Sequence, residues 1–330
     1  MERMHDAPQI SPENKDSDRD IFAALPKVTL HEHLPMEATT PAELADAVRA
    51  HVSALAADGV VYAELRLAPE AYPFAADAAV DAAVAALDTA TADAPAGIDA
   101  RLVLTGMRQS AFDAVADLAI ARRSRRVVGF ELAGDPTAAL PEAGELGALT
   151  TRLRAGFVPF ELHCSGGFDD VVAGVAAGVT RLSCATDIVD DFSADLDGIT
   201  PGDVSAWVRD RGIAVTYTPS LEVTMGQIDE LADHPLPLLQ QLGFTCTIAA
   251  GKPEAGTLTD QFVALNETFG YGLEEFFDLT VKAIENSFAS EEDRQRLLET
   301  VILPAYEELA DPEFAEDALE DLSDAAAEDA

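Results

Sequence analysis

Lysine is nearly absent from this chain of 330 residues: it stands only at Lys15, Lys27, Lys252 and Lys282. With 21 basic residues against 60 acidic ones, the formal net charge is −39. A surface of that sign repels phosphate backbones and anionic headgroups, which argues against nucleic acid and membrane partners. The acidity fits adaptation to high salt or a codon bias towards alanine and aspartate, and neither speaks to chemistry. Cysteine is scarce as well. Three residues (Cys164, Cys184, Cys246) are too few, and an odd number, for a disulfide framework. No apolar run reaches the roughly 18 residues of a membrane helix, and the polar opening Met1-Glu2-Arg3-Met4-His5-Asp6 leads into no apolar signal core. The expected location is therefore cytoplasmic.

Nucleotide-cradling turns are missing too. The first strand-like run is followed by Leu34-Pro35-Met36-Glu37, not by a glycine-rich phosphate turn. Gly251-Lys252 is no P-loop, because Cys246 stands where the first glycine belongs and Pro253 where Ser or Thr should follow. The His-x-Glu and Pro-Cys-x-x-Cys signature of the zinc nucleobase deaminases is absent.

What the sequence does contain is a regular alternation. Strand-like runs lie at 27–34, 60–69, 99–107, 127–135, 156–166, 179–186, 212–220 and 243–251, and each is followed by a stretch of helical spacing. Thr40-Pro41-Ala42-Glu43 is a capping-box pattern with proline at the first helical position. Eight strands alternating with helices imply an α/β protein, a (β/α)8 TIM-type barrel in a single domain. The expected layout is a disordered lead-in over 1–20, the barrel over 21–310 and an acidic tail over 311–330.

Active sites of such barrels lie at the C-terminal ends of the strands. The first run ends in His31-Glu32-His33, and residues two apart on a strand face the same way, so both imidazoles can point inwards and suit a zinc-type cation. His163 ends the fifth run, and the chain has only six His.

These residues resemble the adenosine deaminase family. Leu25-Pro26-Lys27-Val28-Thr29-Leu30-His31-Glu32-His33-Leu34 resembles its opening metal motif. Val60-Val61-Tyr62-Ala63-Glu64-Leu65-Arg66 resembles its second strand, and Val127-Val128-Gly129-Phe130-Glu131-Leu132-Ala133-Gly134-Asp135 its fourth. The resemblance runs from about residue 24 to about residue 305. It implies zinc held by His31, His33 and His163 together with an Asp on the eighth strand, a metal-activated water that attacks the purine, and purine contact at Gly134. It also implies a purine nucleoside-like small molecule as ligand.

The second half departs from the family in chemistry. His-Ala-Gly-Glu is replaced by His163-Cys164-Ser165-Gly166, so Gly166 stands where the ring-protonating acid belongs. Gly-His-Gly is replaced by Ser183-Cys184-Ala185, with Cys184 at the His position. Asp-Asp-Pro is replaced by Gly251-Lys252-Pro253, so neither metal ligand nor second carboxylate remains. Loss of a single catalytic acid costs about 10²–10⁴ in rate, and the expectation is a member degenerate for adenosine deamination, a pseudoenzyme. The alternative is an active zinc hydrolase of altered chemistry, with Asp187, Asp190 or Asp191 as the rescuing acid. The metal has two open fates. Cys184 could act as a thiolate ligand beside the three His, or Lys252 could stand in for part of the metal's charge and leave the site metal-poor. Glu64 and Arg66 read as a structural ion pair, Cys246 as a small buried hydrophobe, His51 and His5 as unremarkable, and His234 as a capping or surface residue.

Overall fold

The computed structural model describes residues 15–93, 97–135, 137–196 and 198–310. The tail expected over 311–330, and His5, lie outside them.

Eight parallel strands form one sheet: β1 (Lys27–His33), β2 (Val60–Leu67), β3 (Asp99–Met107), β4 (Val127–Ala133), β5 (Phe160–His163), β6 (Arg181–Ser183), β9 (Ala214–Tyr217) and β10 (Cys246–Ile248). Two further strands, β7 (Phe192–Asp195) and β8 (Gly198–Pro201), make a separate antiparallel hairpin. The sheet order β1-β2-β3-β4-β5-β6-β9-β10 follows the chain without a switch point, which is the order of a barrel and not of a doubly wound sheet. Every expected strand is present, although the fifth to eighth are much shorter than the apolar runs that announced them.

Closure rests on few bonds. Glu32 and Gly251 form an isolated parallel bridge, the His33 amide donates to the Gly251 carbonyl at 2.7 Å, and the Ala250 amide donates to the Glu32 carboxylate at 3.1 Å. Outside the sheet, Thr40 caps the helix Pro41–Ala57 by accepting from the Glu43 amide, and Glu43 reaches back to Thr39. The helix Lys15–Ala24 begins inside the segment expected to be a lead-in, because Phe22 packs edge-on to Phe276 and Arg19 pairs with Asp260. No helix among the described residues is long and apolar enough to cross a membrane.

The barrel interior is charged. Arg181 pairs with Glu64 and Glu161, and Arg66 with Glu161 (2.7 Å) and Glu131 (3.2 Å), all of them buried. Glu64 and Arg66 are thus structural as expected, but each takes its partner from other strands. Three carboxylates face two guanidiniums, so this interior holds one negative charge in excess, directly beneath His31. Burial alone would raise the Glu161 carboxyl; Arg181 and Arg66 overcome it and hold it well below the usual range.

Candidate active site

His31, His33 and His163 converge at the C-terminal mouth. The Nε2 atoms of His31 and His33 are 3.1 Å apart, and the His31 and His163 rings stack with centroids at 5.5 Å. Nδ1 of His31 lies 3.4 Å from both Glu131 and Glu161. A proton on Nδ1, facing the excess negative charge, leaves the Nε2 lone pair pointing at His33. Nδ1 of His163 lies 3.3 Å from the Ser183 hydroxyl. Burial pushes His31 and His33 down to about 3, opposed at His31 by Glu131 and helped at His33 by the charges of His163, Arg66 and Lys252. Burial lowers His163 as well. All three are neutral at ordinary pH, the form that binds metals.

Gly166 and Gly251 are both closely packed by neighbouring side chains. A Cβ on Gly166 would lie 2.8 Å from the Asp170 carboxylate, which accepts from the Gly166 amide and pairs with buried Arg108 at 3.0 Å. Arg108 in turn donates to the His163 carbonyl at 2.7 Å. Asp170 and Arg108 therefore fill the space beside Gly166 as a locked pair. Gly251 has φ +81°, and a Cβ there would lie 2.8 Å from Leu221 Cδ2 and 2.9 Å from Thr218 Cγ2. Lys252 is half-buried, and its ammonium makes no ion pair among the described residues. At Gly134, a Cβ would meet Arg108 Cγ and Gln109 Oε1 at 2.4 Å, so this glycine lets β4 approach the β3 end.

Cys184 occupies a left-handed backbone conformation (φ +53°) that a residue with a side chain adopts only when its surroundings impose it. Its amide donates to the Thr216 carbonyl at 2.8 Å, and its sulfur lies 3.6 Å from the Thr218 hydroxyl. Glu222 accepts from the Thr218 amide at 2.9 Å and is bonded to His234 Nε2 at 2.7 Å, both side chains being buried. His234 Nδ1 also accepts from the Leu236 amide. Its capping role is therefore real, while a surface role is not. The sequence did not mark Glu222, Thr218, Arg108 or Asp170; the acids Asp170 and Glu222, a few residues beyond strand ends, were the only signal.

Among the rescue candidates, Asp191 is committed to Ser205, accepting from its amide and its hydroxyl at 2.8 Å. Asp187 is half-buried, and burial together with the charge of Asp190 raises its carboxyl above the ordinary range.

The donors suit a divalent cation that binds nitrogen and sulfur. Nitrogen atoms of His31 and His163 and the Cys184 sulfur lie within 4.8 Å of one another, and His31 is shared with the His33 contact. The carboxylate ligand implied by the family has no substitute at Gly251. When such an ion keeps an open position it acidifies bound water.

The sequence profile of the adenosine deaminase family matches residues 27–304. The chain is 34% identical over 272 residues to an adenosine deaminase of Mycobacterium sp. (strain JLS), covering 78% of this chain and 75% of that one. Among solved structures, an amidohydrolase from Burkholderia ambifaria with bound Zn superposes with a TM-score of 0.76 at 20% identity, over 95% of this chain and 96% of that one. The Arabidopsis ADAL complexed with IMP superposes with a TM-score of 0.72 at 17% identity, over 88% and 99%. These two likenesses establish the barrel fold.

Proposed function

Since the chain belongs to the adenosine deaminase family, yet has rebuilt the strand ends where that chemistry needs carboxylates, we propose that it binds a purine-like small molecule without deaminating adenosine at an enzymatic rate. The observation that carries this reading is the packing at Gly166 and Gly251. At each position a Cβ would come within 2.8 Å of a neighbouring side chain, so a neighbour must shift before a carboxylate can stand there. A deaminase of this type must give a proton to the purine ring and take one from water. Gly166 has no proton to give, Asp170 is held by Arg108, and Cys184 is a neutral thiol raised well above its usual range by burial.

A purine-like ligand is supported by family membership and by the IMP held in the Arabidopsis neighbour. His31, His33 and His163 remain the proposed metal residues. Gly134, at the end of β4, is the proposed contact for the ligand's backbone-facing edge. A second reading has one observation in its favour: Asp187, with its raised carboxyl, could act as a substitute acid for a slow hydrolysis.

The test is thermal unfolding in the presence of adenosine, adenosine monophosphate or inosine monophosphate, with chromatography of the ligand afterwards. A ligand at 100 times its Kd stabilises the fold by about 2.7 kcal/mol, or about 4 °C for a chain of this length, and the purine should be recovered unchanged. If none of these ligands shifts the transition, the binding claim fails; recovery of deaminated product from Asp187-containing protein but not from Asp187→Asn supports the second reading.

A further inference from the structure

We infer that Cys184 supplies the fourth ligand of a closed divalent-cation site with His31, His33 and His163, leaving no coordination position for a hydrolytic water. The inference rests on reading this site as one that has left family-type deamination, and it gives that loss a structural cause.

Geometry comes first. Tetrahedral sites with metal–nitrogen and metal–sulfur bonds of about 2.0 and 2.3 Å place neighbouring donors roughly 3.5 Å apart. The His31–His33 nitrogens are at 3.1 Å, and the His31, His163 and Cys184 donors lie within 4.8 Å of one another. His31 is shared by the His33 contact and the cluster with His163 and Cys184, and drawing the four donors into one tetrahedron takes side-chain movement on β1, β5 and the β6 end. Cys184 is held for this position. It sits one residue beyond β6, its left-handed backbone is fixed by the bond from its amide to Thr216, and its sulfur faces Thr218.

Charge supplies the second argument. The buried interior beneath His31 carries three carboxylates against two guanidiniums, and Glu131 Oε1, near Arg66 Nε and His31 Nδ1, accepts no hydrogen bond among the described residues. A divalent cation on neutral imidazoles, together with one thiolate, brings a net single positive charge to that excess negative charge. On binding, the metal–sulfur bond forms and the thiol proton leaves to solvent, so the balance closes without another reactant. Lys252 lies close enough for its charge to disfavour a proton on His33, and it makes no ion pair among the described residues.

Coordination number gives the functional meaning. Catalytic zinc keeps three protein ligands and an open position, whereas four protein ligands make a structural site. A thiolate from the β6 end completes the set of four protein ligands.

The test uses the full chain loaded with cobalt(II) alone. One equivalent should bind and give a sulfur-to-cobalt charge-transfer band in the near ultraviolet, with the intense visible bands of a tetrahedral ion. Cys184→Ser should lose the charge-transfer band, and Cys164→Ser should keep it. Should Cys184→Ser fail to fold, zinc X-ray absorption on the unaltered protein decides, with one sulfur at about 2.3 Å and nitrogens at about 2.0 Å expected. No stoichiometric metal, or a metal without sulfur, overturns the inference, and the first outcome leaves Lys252 as the compensating charge. Purine binding and turnover are not read here, so failure of this experiment is distinguishable from failure of the proposed function.

Discussion

Placing a single methyl group on Gly251 isolates the idea that the eighth strand end was rebuilt and not merely stripped. In Gly251→Ala the backbone must hold φ at +81° with a Cβ present, and that Cβ must sit 2.8 Å from Leu221 Cδ2 and 2.9 Å from Thr218 Cγ2. The left-handed conformation costs about 1–2 kcal/mol, and overpacking against buried Thr218 and half-buried Leu221 adds about 1–3 kcal/mol. The sum, about 2–5 kcal/mol, corresponds to a fall of roughly 3–8 °C in the unfolding temperature at the entropy expected for a chain of this size. Circular dichroism melts of wild type, Gly251→Ala and Gly251→Asp provide the assay. Leu221→Ala placed on Gly251→Ala should recover part of the steric share and none of the backbone share. A Gly251→Ala melt within 1 °C of wild type would refute the reasoning. It would also mean that Asp could be restored at this position without rebuilding its neighbours.

Other perturbations address the interior and the barrel seam. Arg66→Met strips Glu131 and Glu161 of a shared cation, and should cost about 3–5 kcal/mol in urea unfolding; a loss under 1 kcal/mol would show that the network is not tightly coupled. Glu32 is raised by burial to about 7 from 4.5. Its stabilising contribution is therefore complete below pH 4.5 and lost as pH rises through 7. His31 and His33, pushed down to about 3, act in the opposite sense: their contribution is present above pH 6.5 and lost as pH falls towards 3. In chelator-treated protein, Glu32→Gln should accordingly gain stability relative to wild type between pH 5 and 8, by at most about 3 kcal/mol. A stability difference between the two proteins that does not change with pH would contradict the assignment.

The fold was legible because buried parallel strands are short apolar runs, and each of the eight lies within its run. The hairpin Phe192–Pro201 was not, because its four-residue strands are mostly exposed and too short to show an apolar face. At the site, residue identities carried far. His31 and His33 meet because two residues on a strand share a face, and His163 reaches them from the strand across the barrel. Partnership was beyond the sequence. Glu64 found Arg181, 117 residues away, and Arg66 found Glu161, 95 residues away, pairings that local spacing cannot announce. His234 looked peripheral because its partner Glu222 lies 12 residues away, on the helix Pro219–Thr224. The absent carboxylates were visible as substitutions. Only coordinates show that Asp170 packs against Gly166, and Leu221 and Thr218 against Gly251.

The most direct measurement is the ultraviolet absorbance of saturating adenosine incubated with the full chain, first as purified and then with one equivalent of zinc. A barrel that keeps the histidines but has lost its proton-transfer groups should leave the spectrum of adenosine unchanged in both. Conversion at more than about 1 s⁻¹, the low end of ordinary enzymes, would contradict the account.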